Sequence, residues 1–296
     1  MILFKKTSDL DHWLDQERAS GNAIGFVPTM GALHEGHISL IDISKKSVPI
    51  TVCSIFVNPT QFNDPRDFQK YPITIENDIL LLEKAGVDAL FLPEVNEMYP
   101  DGTKDLEKYD LGSLETLLEG KYRPGHFQGV CQVMRRLLQL VRPDDLFMGQ
   151  KDYQQCMVVQ RLIQLMGWNI RFHAGPIIRE PDGLAMSSRN VRLSPEERQR
   201  ATAIYHALQT LRYADSGPGA PNAPTALARA KKLLEDAKFR IDYLEIADPQ
   251  TLEHLPLVPP AFTHPDATPT FPYGAVALIA AFQGEVRLID NMILAL

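Results

Sequence analysis

Two histidines three residues apart, His34 and His37, lie just past a turn in residues 26–38, FVPTMGALHEGHI. On the first turn of a helix that spacing puts both imidazoles on one face. A helix N-terminus carries unpaired N–H groups and a partial positive charge, so it is a seat for phosphate. Imidazoles placed there bind phosphate oxygens and move protons if their pKa values lie near the working pH. A solvated cap, or half of a metal site, would use the same HxxH. The spacing of Gly31 and Gly36 imitates a P-loop, but His37 and Ile38 stand where lysine and a hydroxyl residue are required. The dinucleotide glycine fingerprint is also missed.

Four more stretches carry usable chemistry. NPTQF supplies Asn58 and Gln61, amides that offer donors and acceptors to a substrate with hydroxyl and carboxylate groups. GQKDYQQ supplies Lys151 for phosphate and Asp152 to bond a nucleotide sugar or orient the lysine, after Gly149, which lets a ligand approach the backbone. Gln155 follows one helical turn later. Met186, Ser187, Ser188 and Arg189 give two hydroxyls and a guanidinium in a loop suited to a triphosphate. Arg123 and His126 flank the Pro-Gly of YRPGHFQGV, and Asp78 lies within a predicted helix.

These groups need elements to hold them. Ile24, Phe26 and Val27 form a strand that Pro28 is expected to stop. Residues 50–57, ITVCSIFV, read as a strand buried on both faces. Shorter strands are predicted at 89–92, 146–148 and 170–174. Helices are predicted at 8–20, from about 38 to before Pro49, from a Thr74 cap to Ala85, at 128–141 and at 151–166. Alternating strands and helices imply an α/β, Rossmann-like, doubly wound parallel sheet, whose ligands bind beyond the carboxyl ends of the strands. Residues 93–112 read as a loop excursion.

After MSSRNVRL the pattern changes. Ser194, Pro195 and Glu197 form a helix start for a helix running to about Asp215. Residues 216–224 are a surface connection, a second helix spans 225–237, and β-like runs follow at 241–246, 275–282 and 286–289. The expected organisation is a domain at 1–185 and a smaller α+β lid domain at 186–296.

The 296 residues are 45% apolar and 23% charged, with a net charge of −7, which suits a soluble protein and argues against nucleic-acid binding. Cys53, Cys131 and Cys156 lack CxxC spacing and read as reduced, buried thiols. No apolar run reaches membrane-spanning length, so no membrane partner is expected, and the expected location is cytoplasmic.

VPTMGALHEGH, NPTQF, RPGHF, GQKDYQQ and MSSRN, in this order, resemble the pantoate–β-alanine ligase family of the class I nucleotidyltransferase-like superfamily. The resemblance covers nearly the whole chain and is least distinctive at 101–113 and in the Pro-rich stretch near 256–272. It implies ATP-dependent condensation of (R)-pantoate with β-alanine through a pantoyl adenylate, releasing AMP and pyrophosphate. By the same resemblance ATP contacts Pro28, Thr29, Met30 and Gly31, both histidines, Gly149, Gln150, Lys151 and Asp152, with Ile178 beside the adenine and Met186, Ser187, Ser188 and Arg189 on the phosphates. His34, His37, Lys151 and Arg189 are the implied catalytic groups. Met30, Asn58, Gln61 and Gln155 would contact pantoate or β-alanine, Asp78 would hold Mg2+, and the chain would be a homodimer. Another nucleotidyltransferase shares HxGH, but NPTQF and GQKDYQQ favour the ligase. A zinc hydrolase built on His34 and His37 lacks a third ligand at short spacing, and a non-catalytic binding module would not need this polar set at successive strand ends.

Overall fold

A computed structural model describes residues 1–62, 68–103, 106–214, 222–255 and 274–294. Asn63, residues 104–105 of the predicted excursion, Asp215, most of the predicted 216–224 connection and the Pro-rich stretch lie outside the described residues. Two compact units are present, Met1–Ile178 with Met186–Ser188, and Arg179–Ala185 with Arg189–Leu296.

The first unit contains strands β1 (Ile2–Phe4), β2 (Ile24–Thr29), β3 (Ile50–Ile55), β4 (Ala89–Phe91), β5 (Asp145–Gly149) and β6 (Arg171–Gly175). They form one sheet in the order β1-β4-β3-β2-β5-β6, with every pairing parallel. Helices α1 (Thr7–Ala19), α2 (Glu35–Ser47), α3 (Ile75–Lys84), α4 (Val95–Met98), α5 (Leu118–Tyr122), α6 (His126–Val141) and α7 (Tyr153–Leu165) connect them. Adjacent strand residues fall into different cores. Phe26, Val52 and Leu146 pack with α1, α6 and α7, whereas Val27, Cys53 and Phe147 pack with α2 and α3. Both faces are therefore covered, which explains the unbroken apolar runs.

The edge strand β1 escapes sequence reading because its three residues precede Lys5 and Lys6. The excursion at 93–112 contains the single turn α4. Pro28 does not stop β2, which runs on to Thr29 and pairs there with Ile55. The reason is register. Thr29 O accepts from Phe56 N, so odd-numbered residues of β2 face β3, and Pro28 faces β5. Pairing with β5 ends at Phe26, so no ladder bond is lost at the proline. Beyond that point the sheet opens between β2 and β5, where the strand order reverses.

The second unit has an antiparallel sheet of β7 (Arg240–Ala247), β8 (Ala275–Gln283) and β9 (Val286–Leu294). Helices α8 (Pro195–Ala201), α9 (Ala203–Arg212) and α10 (Ala223–Asp236) share its apolar core. Ser194 caps α8 as expected, accepting from Glu197 N at 3.2 Å while Glu197 accepts from Ser194 N at 2.9 Å. The single helix expected to run to about 215 is broken at Thr202, whose hydroxyl bonds back to Gln199 O at 3.2 Å. Arg179 joins this unit through a bidentate pair with the fully buried Asp290, at 2.6 and 2.9 Å.

Candidate active site

The turn after β2 is built from left-handed backbone, with φ of +80° at Gly31 and +49° at Ala32. Thr29 steadies it by donating to Ser54 O at 2.7 Å and accepting from Gly31 N at 3.2 Å. A Cβ on Gly31 would meet Asp78 Oδ2 at 3.0 Å and Ile55 Cγ2 at 3.1 Å. Glycine is required there by both conformation and space.

The histidines fall together, with ring centroids 4.1 Å apart. Their hydrogen bonds are not those of bare helix-end amides awaiting an anion. His34 Nδ1 accepts from Gly36 N at 3.2 Å, and His37 Nδ1 accepts from His34 N at 3.3 Å. His37 N itself donates to His34 O. Main-chain donors facing both Nδ1 atoms fix the neutral rings as Nε2–H tautomers. The helix end therefore offers imidazole Nε2–H donors in place of most of its own amides. Gly36 is needed for this, because a Cβ there would lie 2.9 Å from His34 Cε1.

Loss of hydration lowers the His34 pKa to about 4, with Lys151 adding repulsion and Asp152 opposing it. Loss of hydration, then His34 and Lys151, lowers that of His37 to about 3. Both rings are therefore neutral at pH 7 in the free protein, and the condition attached to proton transfer, a pKa near working pH, is not met before a ligand binds. The influence of Lys151 on both rings brings the end of β5 within electrostatic reach of α2. Lys151 stands 3.9 Å from Asp152 in a short 3-10 turn, Gln150–Asp152. A Cβ on Gly149 would meet nothing within 4 Å, so this strand end faces open space.

The NPTQ segment forms a second cluster. Gln61 Nε2 donates to Met30 Sδ at 2.9 Å, and its Oε1 accepts from Asn58 Nδ2 at 3.3 Å. Asn58 is 1% exposed, donates to Gly129 O at 3.1 Å and accepts from Tyr99 OH at 2.9 Å. Its amide meets partners inside the fold and supports Gln61. His126 Nδ1 donates to Gln61 O at 2.8 Å, and Arg123 faces its Nε2 at 3.1 Å. Burial, then the Arg123 charge, lowers its pKa to about 3. Gly129 lets α6 approach closely, since a Cβ there would stand 2.3 Å from Thr60 O. Gln155 is half-buried and Gln154 is the buried one, bonded to Glu119 N, Leu114 O and Leu117 O.

Ile178 and the MSS residues return to the first unit. Met186 N donates to Ile178 O at 3.0 Å, and Ser188 Oγ donates to Tyr71 OH at 3.3 Å. Ile178 lies near the helix start, its Cβ 4.0 Å from the position of a Cβ on Gly36. Ser187 is half-buried between them. Arg189 opens the long stretch of the second unit.

Asp78 does not fit its expected place as a Mg2+ ligand. It is 1% exposed, and its two oxygens accept from Ala32 N at 3.0 Å, Leu33 N at 2.8 Å and Thr74 Oγ1 at 3.1 Å. Thr74 thus serves Asp78 and not the helix cap. Mg2+ on a nucleotide is held by one or two carboxylates beside phosphate and water oxygens, and both oxygens of this carboxylate are already engaged by donors of the fold. A largely apolar cavity of about 400 Å³ borders the same turn at Met30, Gly31 and Ala32. None of His34, His37, Lys151 and Gln61 lines it.

A parallel sheet that opens at its switch point, with imidazole donors after one strand and a lysine after the next, defines a Rossmann-like nucleotide-binding enzyme. Residues 2–293 match the family model for pantoate-beta-alanine ligase. A pantothenate synthetase from Porphyromonas gingivalis is 43% identical over 297 residues, 99% of each chain. The crystal structure of pantothenate synthetase from Thermus thermophilus superposes with a TM-score of 0.87 at 40% identity, over 99% of each chain. A Francisella tularensis pantoate-beta-alanine ligase, solved with beta-gamma ATP and beta-alanine, gives 0.80 at 33% identity, over 99% of this chain and 97% of that one. The chain belongs to the pantoate–β-alanine ligase family.

Proposed function

We propose that the α2 end and the GQKD turn hold ATP for the family's two-step ligation. The pantoate carboxylate attacks the α-phosphorus, forming pantoyl adenylate and expelling pyrophosphate. The β-alanine amine then attacks the acyl carbon, forming the amide of pantothenate and releasing AMP. No covalent enzyme nucleophile is required.

The first step brings an anion to an anionic triphosphate, so charge neutralisation dominates it. Lys151 contributes standing positive charge. His34 and His37 contribute Nε2–H donors, and the incoming phosphates favour protonation of both rings. Ser187, Ser188 and Arg189 take the remaining phosphate oxygens, with Pro28, Thr29, Met30, Gly31, Gly149, Gln150, Asp152, Ile178 and Met186 shaping the nucleotide's surroundings. Gln61 and Gln155, with Met30, orient pantoate and β-alanine, where positioning supplies much of the rate of the second step. Mg2+ accompanies ATP. A cytoplasmic homodimer completes the reading. Among the described residues no helix is long and apolar enough to cross a membrane.

The observation that carries this reading is the pair of Nδ1-anchored imidazoles within the field of Lys151. The test is AMP and pyrophosphate release from ATP with D-pantoate, with and without β-alanine. Steady AMP release that requires both substrates and yields pantothenate is expected, with Lys151→Ala losing it by orders of magnitude while remaining folded. ATP left intact under every combination would refute the reading, and full turnover by Lys151→Ala would remove the lysine from it.

A further inference from the structure

The geometry points to Asp78 as a positioning residue for the reaction, a carboxylate that clamps the left-handed turn before α2 and thereby sets the two imidazoles. The clamp is read from one buried side chain and three donors. Oδ2 accepts from Ala32 N and Oδ1 from Leu33 N, on consecutive residues, and Thr74 adds its hydroxyl to Oδ1 from the preceding turn of α3. Ala32 has a Cβ yet sits at φ +49°, a conformation that needs outside support. His34 follows two residues later, and its own amide is already committed to His37 Nδ1. The turn's conformation therefore passes directly into the orientation of both rings.

A buried carboxylate beside an apolar cavity is costly unless its charge is met by donors. Here two of the three donors are main-chain amides of the turn, so the same bonds that hold the turn also satisfy Asp78. Asparagine has nearly the same shape, but its NH2 group would confront one of the two amides as donor against donor. Asp78→Asn therefore removes the clamp with little change in volume.

The inference rests on the proposed phosphate role of the imidazoles, and its test separates the two. ATP affinity of the full-length wild type and of Asp78→Asn is measured by calorimetry in EDTA and again in excess MgCl2. The magnesium dependence of AMP formation is measured alongside. The clamp predicts a loss of ATP affinity of about tenfold or more, equal in EDTA and in MgCl2, with the half-saturating Mg2+ concentration unchanged. Loss confined to MgCl2, or a raised Mg2+ requirement, would overturn it in favour of metal ligation. Wild-type affinity in Asp78→Asn under both conditions would also overturn it. Should the variant not fold, hydrogen exchange on metal-free wild type decides. Ala32 and Leu33 amides protected well beyond ordinary loop amides uphold the clamp, and free exchange refutes it. Failure of the wild type to bind ATP would instead refute the nucleotide reading and leave the exchange result to judge Asp78 alone.

Discussion

Gly129→Ala tests how Gln61 is held. The added Cβ would lie 2.3 Å from Thr60 O, 2.6 Å from Thr60 C and 2.7 Å from Gln61 Cα. Ordinary contact begins near 3.4 Å, so helix and segment must separate by about 1 Å. Helix α6 is anchored by a long apolar face, including Phe127, Val130, Leu137 and Leu138. The three-residue turn Pro59–Gln61 is the side that gives way. Overpacking of this kind costs about 1–3 kcal/mol of stability. A catalytic group misplaced by about 1 Å loses on the order of 100-fold in rate. The assay is kcat/KM for pantoate beside the dissociation constant for ATP measured without pantoate. The first is expected to fall by about 100-fold while the second changes far less, because the displaced segment meets the α2 turn through the flexible Met30 side chain. Unchanged kcat/KM in a folded variant would refute the claim that Gln61 depends on this approach.

Two further outcomes are expected. His34, His37 and His126 have folded pKa values of about 4, 3 and 3, all below the unfolded value near 6.5. The unfolded chain binds these protons first, so stability is full above about pH 6.5 and falls as pH drops towards 4; a urea midpoint unchanged from pH 7.5 to pH 5 would contradict this. Arg179→Ala strands the buried Asp290 carboxylate and is expected to cost about 3–5 kcal/mol. Arg179→Lys should not restore the loss, since lysine cannot reproduce the two parallel bonds, and a thermal melt matching wild type in either variant would refute the assignment.

The sheet was legible because its strands are buried on both faces and so lack polar interruptions. The histidine pair was legible because three-residue spacing means one helical face whatever surrounds it. Less visible was how side chains spend their hydrogen bonds. Asn58 and Gln61 are both amides in one motif, yet Tyr99 and Gly129, distant in sequence, take up the Asn58 amide, while the Gln61 amide meets Met30 and Asn58. Asp78 looked like any helix carboxylate until the turn 46 residues earlier folded against it. Nothing in REPDGLA announces that Arg179 pairs with a residue 111 positions on. The neutral state of the imidazoles was also hidden, since it follows from burial and from Lys151.

Pro28 has a consequence of its own. A parallel ladder grows one rung at a time, and each rung lowers the cost of the next. At Pro28 the rung that would continue from Phe26 and Leu146 has no donor, and pairing between β2 and β5 does not extend to it. The proline therefore withholds one donor at the place where the sheet opens, so closing the slit there would regain less than at any other residue of β2.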